Sequence, residues 1–404
     1  MPQVKPDIET FAKIKVVGIG GSGGSAINRM MEEKIRGVDF VVMNTDVQAL
    51  HHNKAPKKLH IGKGITRGLG AGMDPEVGRK AAEESQNEIK DILKETDMVF
   101  ITCGLGGGTG SGASPVVAEV ARELGVLTVG VVTKPFSFEG PKRSEIAEEA
   151  WENLARNVDT IITIPNDRIL QVIDNKTSLL EAFGIADEIL HQGVQGISEL
   201  ITVPGLINVD FADVKTIMKD TGSALMGIGI ASGENRAVEA AEQAVSSPLL
   251  ELSIDGASGI LFTITGGKDL GMTEVNDAAK IITSTVSDDA KIIFGANIDE
   301  SLGDKIRITV VATGFGERLQ TTYKTEEKEK EPQSFFSGRK YKTTNFLKKT
   351  KIEEDEEDEI EFKEFTRRNL NESNLKNEED EEEKEKDDSD DLEIPAFIRK
   401  KMGN

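Results

Sequence analysis

The sequence predicts an α/β fold: a doubly wound, mostly parallel sheet, a long central helix, a smaller α/β unit and an acidic tail. Three observations carry this prediction. Short β-branched apolar runs alternate with helical patterns, the signature of βαβ units. The runs are apolar almost throughout, as in MVFITC at 98–103, which fits strands covered on both faces. Glycine-rich loops stand where strands give way to helices, at 18–26 and 104–112.

Residues 14–19 open the strand series, followed by 39–43, 98–103, 128–132 and 160–164. Each is β-branched and bounded by Gly, Asn, Asp or Pro. Between them 25–35, 75–94, 113–124 and 144–157 show helical spacing. Residues 178–201 read as one long helix, with Phe183, Leu190, Val194, Ile197 and Ile201 on its apolar stripe. Its length suits a spine between two domains. Thr177 or Ser178 caps it, Glu181 completes a capping box, and Pro204 with Gly205 ends it. A second unit has strands at 225–231, 259–265, 291–297 and 307–313, with helices at 235–245 and 273–286.

Beyond 319 the composition changes to Glu, Asp, Lys, Asn, Ser and Thr, in blocks such as EEDEEDE. This stretch holds about half of the net charge of -22 and little to bury, so it is expected to be a disordered spacer. The last residues turn apolar and then basic, LEIPAFIRKK, as a docking peptide does. The expected organisation is an extension (1–12), a first α/β domain (13–177), the central helix (178–203), a second α/β domain (204–318), an acidic linker (319–390) and a terminal peptide (391–404).

The acidic balance argues against non-specific nucleic-acid binding, because a phosphate backbone would be repelled. A single cysteine, Cys103, leaves no intramolecular disulfide and points to a reducing compartment. Neither a signal-peptide core nor a stretch of membrane-spanning length stands out, so a soluble cytoplasmic protein is expected. Cys103 reads as a small buried apolar residue, and the four histidines show no metal-ligand spacing.

The sharpest feature is GLGGGTGSG at 104–112, between a strand and a helix. Glycines let backbone N–H groups approach a phosphate, and the helix N-terminus adds its positive dipole end. Thr109 and Ser111 can add hydroxyl donors. A plain chain reversal needs only one or two glycines. A second loop, GIGGSGGSA at 18–26, satisfies G-x-G-x-x-G through Gly18, Gly20 and Gly23, the dinucleotide fingerprint. Asp46, at the end of the next strand, could imitate its ribose-binding acid. A dinucleotide-dependent oxidoreductase is therefore one reading. Against it stand a second rich loop and a third, GLGAG at 68–72. Three backbone cradles suit a triphosphate better than a pyrophosphate. No Walker A lysine loop is present, so Mg2+ would neutralise the phosphates.

The series GIGGSGG, VMNTD, GLGAG, GGGTGSG, TKPFSFEGPKR, TIPND, FGIAD, NVDFAD and IPAFIRK occurs in order. GGGTGSG resembles the tubulin signature loop, and the chain is similar to the FtsZ family, the tubulin-like GTPases of bacterial cell division. The resemblance covers about 14–316 and resumes at the terminal peptide. It implies a tubulin-like GTPase domain and a protein that binds GTP, hydrolyses it to GDP with Mg2+, and polymerises head-to-tail into the cytokinetic ring at mid-cell. Partners would be further copies of the chain, and membrane-tethering adaptors and regulators through 391–404; nucleic acid and direct membrane insertion are not expected. A filament with another task, shape control or plasmid movement, is the remaining alternative.

The resemblance also implies site residues. Gly20, Gly21, Ser22, Gly23, Gly24 and Ser25 would face the phosphates, with Asn44 nearby and Gly70, Ala71 and Gly72 near the γ-phosphate. Gly104, Gly107, Gly108, Thr109 and Gly110 would cradle the α- and β-phosphates. Glu139 and Arg143 would contact the ribose side, Asn166 and Asp187 would read guanine, and Phe183 would stack on it. A carboxylate at Asp187 makes chemical sense, since it accepts from both N1–H and the 2-amino group of guanine, an edge adenine lacks. Asn208, Asp210 and Asp213, in an activating loop at 204–213, would enter the next subunit's site and orient the attacking water. Taken alone, Asp210 and Asp213 read equally as capping acids of a helix. Ser25 stands where many members of the family have asparagine.

Overall fold

A computed structural model describes residues 12–171, 177–203, 205–247, 254–287 and 289–315. Pro204, the acidic linker, the terminal peptide and all but the last residue of the N-terminal extension lie outside the described residues.

The chain runs β1 (Ile14–Ile19), α1 (Gly20–Glu32), β2 (Val38–Asn44), α2 (Val47–His52), β3 (Lys57–His60), α3 (Lys63–Thr66), α4 (Pro75–Glu84) and α5 (Gln86–Leu93). It continues through β4 (Met98–Gly104), α6 (Gly108–Glu123), β5 (Leu127–Lys134), α7 (Pro141–Ala155), β6 (Thr160–Pro165), α8 (Asn166–Ile169), α9 (Leu179–Thr202) and α10 (Phe211–Met218). The last elements are β7 (Gly222–Ser232), α11 (Arg236–Val245), β8 (Gly259–Gly266), α12 (Met272–Ser284), β9 (Lys291–Ile298) and β10 (Lys305–Thr313).

The strands form one sheet in the order β3-β2-β1-β4-β5-β6-β7-β10-β8-β9. From β3 to β7 every pairing is parallel, although β6 and β7 share only three register pairs, Thr160 with Gly222 to Ile162 with Ala224. β10 then runs antiparallel between β7 and β8, and β9 closes the edge parallel to β8. The α/β class with a mostly parallel sheet is thus as expected. Strands β1, β2, β4, β5 and β6 coincide with the predicted runs to within about two residues at either end.

Helix starts differ from the expected ones for a physical reason. The glycine loops were expected to precede the helices, yet α1 begins at Gly20 and α6 at Gly108. The glycines are the first turns themselves. The single helix expected at 75–94 is divided at Ser85, whose buried hydroxyl accepts from the Gly62 N–H at 3.1 Å.

One core lies on the face where α1, α9 and α10 pack, around Ile27, Met30, Leu190, Val194 and Ile197, all fully buried. The other face carries α4 to α7, around Ile101, Ala113, Val117 and Leu154. A third cluster joins α11 and α12 to β7, β8 and β10. The capping box of α9 is present: Ser178 Oγ accepts from Glu181 N–H at 3.2 Å, and Glu181 Oε2 accepts from Ser178 N–H at 2.7 Å. Two glycines let α9 lie close on the sheet. A Cβ at Gly193 would stand 2.8 Å from Met226 Sδ on β7, and one at Gly196 would stand 2.8 Å from Thr309 Cγ2 on β10.

Candidate functional site

A cavity of about 700 Å³ opens beyond the carboxyl ends of β1, β2, β4, β5 and β6, where open α/β sheets place their ligands. Its walls are largely backbone. The first turns of α1 and α6 reach it through Gly21, Ser22, Gly108, Thr109 and Gly110. Their N-cap residues, Ile19 and Gly107, make no side-chain capping bond, and neither first turn carries an acidic residue. The free N–H groups of two helices, with their positive dipole ends, therefore stand at one end of the cavity. That end suits an anion such as a polyphosphate.

The glycines divide into two kinds. A Cβ at Gly21 or Gly107 would meet nothing within 4 Å, so these positions are open toward the cavity. Gly18 and Gly23 are packed against each other, and a Cβ at Gly23 would lie 2.5 Å from the Thr102 carbonyl oxygen. Gly20, Gly23 and Gly24, expected to face phosphates, are instead buried and do not line the cavity. Gly20 holds a left-handed φ of +75° against Gly110, and Gly24 lends its carbonyl to Asn53 Nδ2 at 2.7 Å. Gly20 lets α1 come close to α6, while Gly23 and Gly24 let it lie close on β4 and β2. Ser111, expected as a hydroxyl donor, accepts from the Gly106 N–H at 2.9 Å and holds the loop's shape. Thr109 Oγ1 lies 2.7 Å from Thr45 Oγ1.

Gly70, Ala71 and Gly72 form the next wall, with Ser25, Asn44 and Gly104 also lining the cavity. Their segment is tightly coiled: Arg67, Gly68, Gly70, Gly72 and Met73 all have positive φ. It is tied down where Val47 N–H donates to the Gly68 carbonyl at 3.2 Å and where Asp74 caps α4.

The far end is built for a flat polar ring. Phe183 is 40% exposed and meets the buried Phe136 edge to face, centroids 5.5 Å apart, leaving a face free for stacking. Asn166 is buried, and its Oδ1 has no hydrogen-bond partner among the described residues. A buried amide oxygen lining a cavity without a partner calls for a ligand donor. Asp187 lines the same end, and burial pushes its carboxyl up to about 6 against the opposing pull of Arg29. Along the side, Glu139 accepts from the Phe136 N–H at 3.0 Å and pairs with Arg143. An uncapped anion end, a polar side wall and a base-sized end with unmet acceptors together fit a purine nucleoside polyphosphate.

Three expected residues lie elsewhere. Asn208, Asp210 and Asp213 are exposed and do not line the cavity. Asp210 caps α10, accepting from Ala212 N–H at 3.2 Å, and Asn208 Oδ1 accepts from Gly205 N–H at 2.6 Å. Sequence reasoning missed Ile19, Ala49, Met73, Leu105, Thr133, Pro135 and Ala186 as lining residues. Thr133 and Pro135 had a signal, the strand end beginning TKPFSFEGPKR, and Ala186 lies within FGIAD; the others had none. Asp46 lines the cavity too, but its carboxylate is engaged in capping α2 through Gln48 N–H at 2.8 Å and Ala49 N–H at 3.2 Å. Cys103 is fully buried with its thiol pushed up to about 12, so it is no nucleophile.

Residues 13–174 match the GTPase domain model of the tubulin/FtsZ family, and residues 222–316 match the C-terminal domain model of the FtsZ family. Among solved structures, an empty FtsZ dimer from M. jannaschii is 48% identical, covers 77% of this chain and 90% of its own, and superposes with a TM-score of 0.74. A point mutant of FtsZ from the same organism is 49% identical, covering 76% of this chain and 92% of its own, with a TM-score of 0.73. CetZ2 from Haloferax volcanii, solved as a GTPγS-bound protofilament, shares the fold at 22% identity and a TM-score of 0.65, over 78% of this chain and 98% of its own. The oxidoreductase reading of the first glycine loop falls to these matches. With such identity over most of its length, the chain is a GTPase of the tubulin/FtsZ family.

Proposed function

We propose that this GTPase polymerises head-to-tail, that each subunit completes its neighbour's site with Asn208, Asp210 and Asp213, and that the filaments form the cytokinetic ring. The observation that carries this reading is what the cavity lacks. Its lining carboxylates are Asp46, Glu139 and Asp187. Asp46 is held as a helix cap, Glu139 is held by Arg143 and the Phe136 N–H, and Asp187 stands at the base end. Away from the base end, only Asp46 keeps an oxygen, Oδ2, outside these bonds, and its carboxylate is fixed by the cap, so the cavity by itself offers little to orient a water for in-line attack. Asp210 and Asp213 are exposed on the opposite side of α9 in sequence, available to a second copy.

Exposed apolar side chains support heterologous contact. Leu69, at 88% exposure, stands on the coiled wall of the cavity, and Leu206, at 66%, stands in the loop that carries Asn208 and Asp210. Two different surfaces that meet between copies generate an open filament rather than a closed dimer. FtsZ from M. jannaschii has been solved as a dimer and CetZ2 as a protofilament, which accords with this reading.

Mg2+ would be held chiefly by the nucleotide. No group of three or more His, Cys, Asp or Glu among the described residues could hold a metal by itself. Phosphate oxygens, water and a hydroxyl such as that of Thr109 suit such an ion. When bound, it would neutralise the phosphate charge that no lysine of the cavity meets. The terminal peptide 391–404 would tether filaments to adaptors on the cytoplasmic face of the membrane at mid-cell; no helix among the described residues is long and apolar enough to cross a membrane.

The test is GTP turnover per molecule against protein concentration, with light scattering in the same cuvette, for wild type and Asp210→Ala. Turnover that appears above a threshold concentration, rises with scattering and is lost in the variant while GTP still binds is the expected result. Turnover independent of concentration would mean a site complete within one chain, and the shared-site reading would fall.

A further inference from the structure

Thr45 follows β2 and is fully buried, whereas Thr109, in the first turn of α6, lines the cavity at its anion end. Their side chains, 64 positions apart in the chain, meet with the two Oγ1 atoms 2.7 Å apart. Neither hydroxyl has another hydrogen-bond partner among the described residues. The backbone around Thr45 is pinned: its carbonyl accepts from the buried Thr66 Oγ1 at 3.3 Å, and Asp46 beside it caps α2.

A single proton lies between two hydroxyl oxygens in contact, and burial decides whose it is. If Thr109 donated, the proton of Thr45 would be left in the interior with no acceptor, which is the costly state of a buried donor. If Thr45 donates, its proton is paired, and Thr109 keeps its own proton for the cavity, where water or a ligand accepts it. The second arrangement leaves nothing buried unmet. A hydroxyl that already accepts a hydrogen bond is also polarised into a better donor.

We propose that Thr45 is a positioning residue for nucleotide binding: its buried hydroxyl commits Thr109 to donate its proton to a phosphate oxygen. The proposal rests on the reading of Thr109 as a phosphate-facing residue. The N–H groups of the same helix turn are donors by their geometry alone. A hydroxyl is not, because it rotates and offers lone pairs as readily as its proton. A buried donor behind it removes that freedom without touching the ligand. Accepting from Thr45 leaves Thr109 a second lone pair, so a cation bound with the phosphates is not shut out.

The experiment measures GDP affinity of the full chain by titration calorimetry in EDTA, which takes any cation contact of Thr109 out of the readout. The proteins are wild type, Thr45→Val, Thr45→Ala, Thr45→Ser, Thr109→Val, and Thr109→Val combined with each of Thr45→Val and Thr45→Ala. Thermal melts confirm folding. Thr45→Val puts a methyl where the hydroxyl was. Serine and alanine differ by the same hydroxyl, so that pair carries the test if the valine variant does not fold. Thr109→Val is expected to weaken GDP binding roughly tenfold, the worth of one hydrogen bond to a charged acceptor. Thr45→Val and Thr45→Ala should weaken it roughly three- to tenfold, and Thr45→Ser should stay within about twofold of wild type. With Thr109→Val already present, removing the Thr45 hydroxyl should change Kd by less than about twofold, whereas a general loosening of the loop would persist there. A Thr45 effect that survives in the Thr109→Val background, a serine variant as weak as the alanine one, or hydroxyl-free Thr45 variants that bind like wild type each overturn the proposal and leave Thr109 as a phosphate contact. Thr109→Val that binds GDP like wild type overturns the reading of Thr109 itself, and the proposal with it.

Discussion

Asp187→Asn should stabilise the nucleotide-free protein while weakening its hold on guanine nucleotides. Burial raises the Asp187 carboxyl from an ordinary 3.8 to about 6. The sign follows from linkage. A carboxyl whose folded-state pKa is raised contributes no penalty below about pH 4, where both states are protonated. Stability is then lost as pH rises from about 4 to 6, and the full penalty persists above. The shift of about two units corresponds to an upper limit of about 3 kcal/mol at 1.36 kcal/mol per unit. The asparagine amide keeps part of the burial cost, which leaves a gain of roughly 1–2 kcal/mol at pH 7.5. For a folded part of this size that is a rise in Tm of roughly 2–6 °C. The assay is thermal unfolding of nucleotide-free wild type and variant at pH 7.5 and at pH 4.5, with GDP affinity measured on the same preparations. The variant should melt higher at pH 7.5, lose most of that advantage at pH 4.5, and bind GDP at least tenfold more weakly, about the worth of a charge-assisted hydrogen bond. A variant that melts lower than wild type at pH 7.5 would refute the reasoning, because Asp187 would then be a satisfied structural carboxylate.

The two kinds of glycine should separate in one experiment. Gly112→Ala places a Cβ 1.9 Å from the Pro75 carbonyl oxygen; overpacking of about 1–3 kcal/mol outweighs the roughly 1 kcal/mol gained in helix propensity, so denaturant midpoints should fall. Gly107→Ala meets nothing and keeps an ordinary φ of -93°, so its stability should stay within about 0.5 kcal/mol while nucleotide affinity drops; unchanged affinity would mean the position does not face the ligand. Arg236, 6% exposed, donates to both oxygens of Glu274 at 2.7 and 3.1 Å and to Asp269 at 2.8 Å, so Arg236→Ala should cost roughly 2–4 kcal/mol at pH 7. Because Arg236 holds both carboxyls below their ordinary values, their contribution is present above the ordinary carboxylate range and is lost as pH falls through it, and the variant's deficit should shrink below about pH 4. Removal of residues after 319 should spare GTP binding and turnover and abolish capture by adaptors; loss of GTP binding would show that the tail belongs to the site.

What could be read from the sequence was whatever depends on local pattern. The strands β1, β2, β4, β5 and β6 are runs of Val, Ile and Thr between breakers, and they lie where that pattern put them. Strand β3, with the sequence KKLH, has no such run; it exists because Val41 to Asn44 offer it a parallel partner. The glycine loops announced a phosphate site, but not which glycine faces it. Gly23 and Gly21 are alike in sequence and differ only in what stands opposite them, the Thr102 carbonyl in one case and open space in the other. That is settled by a strand residue, Thr102, far from Gly23 in the chain, so no local pattern contains it. The break at Ser85 has the same origin, since its hydroxyl answers an N–H on Gly62.

The polar groups that the fold leaves unmet are not scattered at random. Helices α1 and α6 start without side-chain caps, Asn166 Oδ1 has no partner among the described residues, and Asp187 is half-buried with its carboxyl raised to about 6. All four features line one cavity. Asn166 Oδ1 and the Asp187 carboxylate are costs in the empty protein, because a group withdrawn from water without a partner forfeits hydration, whereas the helix N–H groups open to the cavity are left to water. On the proposed reading of the site, each would also be a group that a guanine nucleotide answers: phosphate oxygens for the N–H groups, and ring donors for the amide oxygen and the carboxylate. Binding would then do more than add contacts, since it would remove penalties already present. The same groups would tie selectivity to stability, for a base that cannot donate to Asp187 would leave its penalty in place. A chain built this way folds around a deficit shaped like its ligand.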